Sequence, residues 1–395
     1  MKIDPSVRFD DTAIAFSYKS GKELKRAHFV FRVVNNPFFS KISTSAVKFA
    51  MSLKLPVKRL IKSTVFEHFC GGETIEQTEE TVRHLGEFHV KTILDYSVEG
   101  EKTESGFDLA TNEFLRAFGI ASRSSNIPFC VFKVTALADS GLLEKVQDGV
   151  VLTSEEQCDF EKVRGRIDRI CAEAFSLKIP ILIDAEETWI QDSIDSLAYE
   201  MMRKYNQGRP IVHNTYQLYR SDMLENLRKA ITTSSSNNYS LGVKLVRGAY
   251  MEKEAARAEK LGYPNPIHTS KEATDKDFNE ALKLCVENKE KISIVCGSHN
   301  EHSNHYLTIL MKEYDMNPTD NRVWFAQLLG MSDNISFNLA KAGYNVAKYV
   351  PYGPVESVMP YLLRRAAENT SVAGQSSREL SLIRKELSRR KVNKA

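Results

Sequence analysis

The sequence predicts an α/β fold organised as a (β/α)8 barrel, and three observations lead there. Short apolar, β-branched runs alternate with longer helical segments from about residue 91 onward, the pattern of repeated βα units on a parallel sheet. Eight such runs fall within about 260 residues, close to the roughly 250 residues of a barrel of this kind. Each run is apolar almost throughout, so it must be buried on both faces, as happens when helices cover a parallel sheet. A doubly wound open sheet is the alternative arrangement of the same units.

In chain order the predicted strands are Thr92–Ser97 (TILDYS), Phe129–Ala136 (FCVFKVTA), Pro180–Asp184 (PILID), Pro210–Thr215 (PIVHNT), Leu241–Arg247 (LGVKLVR), Ile292–Ser298 (ISIVCGS), Val323–Leu328 (VWFAQL) and Tyr344–Val350 (YNVAKYV). Helical periodicity fills Glu73–Leu85, Glu155–Leu177, Gln191–Tyr205, Tyr219–Thr232, Asp275–Asn288, Ser303–Tyr314 and Ile335–Ala342. Ser234–Asn238 (SSSNN) reads as a loop. Residues 1–60 show no strand pattern and are expected to form a helical arm, with the barrel over 61–377 and a basic tail over 378–395.

The chain has 395 residues, 42% hydrophobic and 27% charged, which excludes collagenous, low-complexity and largely disordered classes. Its six cysteines form no C-x-x-C pair, so neither a disulfide scaffold nor a zinc finger is suggested and a reducing compartment fits. No apolar run reaches the roughly 18 residues that a spanning helix needs. The expectation is a cytoplasmic protein, at most peripheral on the inner face of a membrane. Charge is uneven: residues 1–60 hold 12 basic against 4 acidic residues (+8), residues 378–395 hold 7 against 2 (+5), and the remainder is therefore 3 − 8 − 5 = −10. Basic ends of this kind suit an anionic lipid surface or simply solvated helices. Aromatic and basic residues are not interleaved as a nucleic-acid surface would need, so no nucleic-acid partner is expected.

A barrel of this type carries its active site at the C-terminal ends of the strands. Asp95, Lys133, Asp184, Asn214, Lys244 with Arg247, Ser298 with His299, Gln327, and Lys348 with Tyr349 fall at that level. Ionisable groups in apolar strands are costly unless paired or facing a ligand. Lys133, Lys244, Arg247 and Lys348 outnumber Asp95 and Asp184, which predicts a mouth that receives an anion and also uses a carboxylate; Glu186 and Glu187 follow in the next loop. Neither G-x-G-x-x-G nor G-x-x-x-x-G-K-[ST] occurs, which disfavours a Rossmann or P-loop site. His299, His302 and His305 invite a metal reading because i, i+3 spacing can place imidazoles on one helical face, but six helical residues rotate about 240° beyond a full turn, which turns His305 away from His299, and no nearby carboxylate or thiol has ligand spacing; no metal site is expected. In the helix-like segment Pro354–Glu368, Arg364 and Arg365 interrupt the apolar face, either as a bidentate recogniser of carboxylate or phosphate or as a solvated helix end.

VFKVTALA (Val131–Ala138), ILIDAEE (Ile181–Glu187), NTYQ (Asn214–Gln217), KLVRGAY (Lys244–Tyr250), SHNEHS (Ser298–Ser303), FAQLLGM (Phe325–Met331), KYVPYGP (Lys348–Pro354) and YLLRRAAEN (Tyr361–Asn369) resemble, in order, the motifs of the proline dehydrogenase family. The resemblance covers most of residues 60–370. It implies a modified (β/α)8 barrel with a C-terminal helix over the mouth, FAD held without a covalent link, oxidation of L-proline to 1-pyrroline-5-carboxylate, and reoxidation by a quinone. Within it, Lys133, Tyr349, Arg364 and Arg365 are similar to the substrate set, and Asp184 to an active-site carboxylate. Ala185, Asn214, Val246, Arg247, Gly248, Ser298 and His299 are similar to FAD contacts, and Lys244 matches a position beside the flavin N5. Many bacterial members carry Arg at Lys244 and Gln at Asn214; Lys keeps the charge but not the planar fork. Hydroxyproline dehydrogenase is the alternative within this fold, and Tyr349 argues against it by filling the space that a ring hydroxyl needs. A nonenzymatic binding protein acting through the basic ends is the alternative outside it.

Overall fold

A computed structural model describes residues 7–34, 62–97, 102–371 and 375–392. The strands are β1 (Val90–Tyr96), β2 (Phe129–Lys133), β3 (Ile181–Asp184), β4 (Val212–Gln217), β5 (Leu241–Val246), β6 (Ile292–Gly297), β7 (Val323–Leu328) and β8 (Val346–Tyr352). They follow one another in chain order as a closed barrel, the architecture that the eight apolar runs predict. Among the described residues, the helices of eight or more residues are α1 (Gly21–Val34), α2 (Glu79–Glu87), α3 (Glu104–Ala121), α4 (Ser140–Gln147), α5 (Ser154–Leu177), α6 (Thr188–Tyr205), α7 (Met223–Ser236), α8 (Met251–Leu261), α9 (Lys271–Glu287), α10 (Glu301–Glu313), α11 (Asp333–Lys341), α12 (Val355–Ser371) and α13 (Gln375–Val392). Of the expected N-terminal arm, residues 1–6 and 35–61 lie outside the described residues.

Three helices, α3, α4 and α8, go beyond the predicted set, and the second predicted strand is shorter than its run. β2 stops at Lys133, and Val134–Ala136 turn into a 3-10 helix. α3 buries Phe107, Ala110, Phe114, Ala117, Phe118 and Ala121, an i, i+3, i+4 stripe diluted by small residues. Helix starts follow the usual donors and acceptors: Thr153 and Glu156 form a reciprocal capping box on α5, and Asp139 accepts from Gly141 and Leu142 N on α4.

The described residues divide into two compact units, one within 100–326 and the other within 5–99 and 327–395. In the first, β2 to β6 pair in parallel register, with Lys133 opposite Asp184 and Thr215 opposite Lys244. Side chains alternate faces along a strand. His213 points to the interior, its ring against Phe129, which also meets Trp324 edge-on. Gly242, opposite His213, has no room for a side chain, since a Cβ there would lie 2.6 Å from the His213 ring. Tyr216, one face over, meets Tyr199 of α6 with hydroxyls 3.0 Å apart. α6 has no cap of its own; the fully buried Glu254 of α8 accepts from Thr188 N and Oγ1 instead.

In the second unit β1 and β8 pair in parallel, from Val90 opposite Val346 to Tyr96 opposite Tyr352. Val30, Phe69, Met331, Val355, Met359 and Leu362 form part of one apolar cluster. A second joins α1 to α13 through Leu24, Ala27, Phe31, Leu382 and Ile383. The basic C-terminal segment is thus a helix whose inner face, including Glu379 and Glu386, is buried, while Arg384 and Lys385 are exposed. Lys348, counted from the sequence among the cations of the mouth, is fully buried here. It pairs with Asp333 at 2.9 Å and donates to the Leu328 and Met331 carbonyls. Asp333 also accepts from Tyr18 Oη at 2.8 Å and Lys19 Nζ at 2.7 Å. The cause is strand alternation: Lys348 and its neighbour Tyr349 leave opposite faces of β8.

Candidate active site

The strand ends of the first unit concentrate polar chemistry. Lys133 closes β2, Asp184 closes β3, and Lys244 lies within β5. Asp184 Oδ2 accepts from Lys133 Nζ at 2.7 Å, and its Oδ1 accepts from Lys244 Nζ. Asp184 is 8% exposed and Lys244 6%, so water screens these pairs poorly. Burial alone would raise the Asp184 carboxyl; the charges of Lys133 and Lys244 overcome it and hold the group at about 2, against an ordinary 3.8. Two ammonium groups around one carboxylate leave a local surplus of one positive charge.

A second polar cluster gathers around Arg247, one residue beyond β5. Its Nε donates to Asp275 at 2.7 Å, and its terminal nitrogens donate to Ser298 Oγ at 2.7 Å and Ser303 Oγ at 2.9 Å. The guanidinium lies 4.4 Å from the Phe278 ring centroid. Arg247 therefore ties the ends of β5 and β6 to α9 and α10. Gly248 follows with φ +142, and a Cβ there would stand 2.4 Å from the Tyr219 ring, so only glycine fits. His299 is half-buried beside Ser298, whereas His302 is exposed on α10. Among the described residues no group of three or more His, Cys, Asp or Glu is arranged to hold a metal ion.

Of the residues that the sequence singles out, the structure brings Lys133, Asp184 and Lys244 together, and Arg247 with Ser298. Ala185 is buried next to Asp184, and Val246 shares the face of Lys244. Asn214 goes elsewhere: its Nδ2 donates to Asp195 of α6 at 2.8 Å, on the helix-facing side of β4. Burial pushes Asp195 up to about 6, against the Asn214 and Gln191 hydrogen bonds that favour its anion. Tyr349, 6% exposed, belongs to the second unit, where its carbonyl accepts from Leu329 N at 2.8 Å. Arg364 and Arg365 fall on α12; Arg364 is half-buried, and the side chain of Arg365 lies outside the described residues.

Three carboxylates go unsingled in the sequence reading. Asp195 sits with Gln191 at i, i+4 spacing on the buried face of α6, and a polar pair in an apolar stripe is a usable signal. Asp275 carries a weaker one, four residues after Lys271. Asp333 has none, because its partners Lys19 and Lys348 are 314 and 15 positions away (348 − 333 = 15).

The family model described as "Proline dehydrogenase" matches residues 78–378. "Proline dehydrogenase 1, mitochondrial" of Dictyostelium discoideum is 33% identical, covering 96% of this chain and 74% of its own length. "Hydroxyproline dehydrogenase" of Xenopus laevis is 30% identical, covering 98% of this chain and 91% of its own. Among solved structures, proline utilization A from Bdellovibrio bacteriovorus has the same fold, with a TM-score of 0.70 at 19% identity over 92% of this chain; the chain spans 36% of that protein. By the span of the family match and the identity to a relative matched over 74% of its length, the chain belongs to the proline dehydrogenase family.

Proposed function

We propose that the chain is an oxidoreductase that converts L-proline to 1-pyrroline-5-carboxylate, using noncovalent FAD that a quinone-type acceptor reoxidises. The observation that carries the reading is the cluster of Lys133 and Lys244 on Asp184 at the strand ends. Its surplus positive charge fits both a substrate carboxylate and an electron-accepting ring system. Arg247 with Ser298, then Gly248, Val246, Ala185 and His299, would hold the cofactor. Asn214, with its amide committed to Asp195, would act by fixing β4.

FAD, when bound, would supply the acceptor for the hydride that leaves C5, the ring methylene beside the amine nitrogen. Lys133, Arg364 and Arg365 anchor the carboxylate, and Tyr349 packs on the pyrrolidine ring. Lys244 supplies positive charge where the electrons arrive, and Asp184 orients both lysines. A carboxyl held at about 2 stays ionised near neutral pH, so Asp184 is an orienting anion and not a proton donor. The substrate must give up its amine proton to solvent before transfer.

The Xenopus laevis relative keeps 4-hydroxyproline as the second reading; the Tyr349 side chain, placed on the ring, leaves a 4-hydroxyl little space.

A quinone acceptor calls for contact with a membrane. Among the described residues no helix is long and apolar enough to cross one. The surface offered is peripheral: Lys25, Phe29 and Arg32 on α1, with Phe29 54% exposed, and exposed Arg384 on α13. His28 lies among them; burial lowers its pKa, and so do Arg384 and Arg32. An exposed aromatic ringed by cations suits an anionic bilayer surface. The direct test of the activity is turnover: L-proline with an artificial electron acceptor should yield 1-pyrroline-5-carboxylate, and protein carrying flavin that forms none would reject the reading.

A further inference from the structure

We propose that Glu186 is the positioning residue for Lys133, holding the end of β2 against the end of β3 so that the ammonium meets the substrate carboxylate. This rests on the assignment of Lys133 to that carboxylate.

Glu186 is buried and engaged at every polar group. Its Oε1 accepts from Thr135 N at 3.0 Å, and its Oε2 accepts from Thr135 Oγ1. Its own N donates to Gln191 Oε1 at 2.7 Å, and its carbonyl accepts from Gln217 Nε2 at 2.6 Å. One residue thus joins the ends of β2, β3 and β4 to the start of α6.

Thr135 lies two residues beyond Lys133, inside the 3-10 turn Val134–Ala136 that ends β2. That turn has no side-chain cap of its own. Glu186 supplies the missing acceptor from the neighbouring strand, as an N-cap does from within a helix. Any short polar residue could cap; a carboxylate also brings charge close to Lys133.

Burial pushes the Glu186 carboxyl up to about 7, against the Thr135 hydrogen bonds and the Lys133 charge that favour the anion; Glu187 opposes the anion as well. Gln191 and Gln217, its contacts on α6 and β4, are uncharged, and Asp184 is already ionised. The group is neutral below about 7 and charged above it. As pH rises, a second negative charge forms beside Lys133, and the hold on an anionic ligand weakens.

The test measures inhibition of the holoenzyme by a saturated five-membered-ring carboxylate without the amine nitrogen, which separates carboxylate binding from titration of the substrate amine. In the unmodified protein Ki should rise about three- to tenfold between about pH 6 and about pH 8.5. Glu186→Gln should flatten that rise while retaining flavin. Thr135→Val leaves the carboxylate but removes one donor; it should raise Ki about tenfold at both pH values, and Thr135→Ser should restore it. A Glu186→Gln enzyme with the unmodified pH profile, or a Thr135→Val enzyme with unmodified Ki, would overturn the proposal. If Glu186→Gln fails to fold, the two Thr135 variants decide. An unmodified holoenzyme that binds no such carboxylate would overturn it through the proline reading beneath it.

Discussion

Lys133 Nζ and Asp184 Oδ2 stand 2.7 Å apart at directly opposed positions of β2 and β3. In-register neighbours on parallel strands share a face, so the sheet alone brings this pair together. Lys244 comes from β5, opposite Thr215, and reaches Asp184 past that short side chain. Thr215 turns its hydroxyl away to the Ile183 carbonyl at 2.7 Å, which keeps the path free.

The pair has a pH signature. The Asp184 carboxyl sits at about 2 in the fold and near 3.8 in an unfolded chain, so its contribution is complete above 3.8 and disappears as pH falls through about 2. The difference corresponds to about 2 kcal/mol. Asp184→Asn should lose that pH dependence and, by removing the carboxylate that the buried Lys244 and the half-buried Lys133 share, cost roughly 3 to 5 kcal/mol near neutrality. Denaturant unfolding at a series of pH values measures both; parallel curves for the two proteins would contradict the assignment.

This cluster was legible in the sequence because ionisable residues at the ends of apolar strands stand out against their surroundings, and the eight strands were legible because both faces of each are buried. Asn214 and Lys348 were harder. Both lie at the expected level of their strands, but alternation turns them to the helix side, where Asp195 and Asp333 meet them. Level along a strand is visible in a list of residues; the face is set by the register of the whole barrel. α3 escaped because alanines make much of its buried stripe, and the packed inner face of α13 escaped because its buried glutamates made an amphipathic helix look like a solvated charge run.

The cofactor should leave with its binding fold. With no covalent link, acid precipitation is expected to release the flavin into the supernatant, read by its absorption and fluorescence. Flavin that stays with the precipitate would show a covalent bond.

The basic surface needs substitutions that spare the inner face of α13, since removing residues 378–395 would also delete the buried Glu379, Leu382 and Ile383. Arg32→Glu combined with Arg384→Glu should weaken sedimentation with anionic vesicles at low salt and leave proline turnover with a soluble acceptor unchanged. High salt should erase the difference, because screening shortens the reach of surface charge. Unchanged low-salt sedimentation would reject this surface.

Arg365→Met keeps much of the stem of the side chain and removes the fork that would meet the carboxylate. Losing one partner of a desolvated charge pair costs roughly 2 to 5 kcal/mol, a loss of about 30-fold to several thousandfold in kcat/KM. Most of it should appear in KM, because the carboxylate carries the same charge in ground and transition states. Flavin content should stay at the unmodified level; a normal proline KM, or loss of flavin from a folded protein, would assign the residue another task.

Anaerobic titration of the flavin-loaded protein, followed at the flavin absorption bands, shows whether L-proline delivers its electrons to the flavin. L-proline should bleach the bands fully, with one flavin reduced per proline oxidised, while 4-hydroxyproline at the same concentration should bleach them far more slowly. Bands that persist with L-proline, or that bleach faster with 4-hydroxyproline, would exclude L-proline as the substrate.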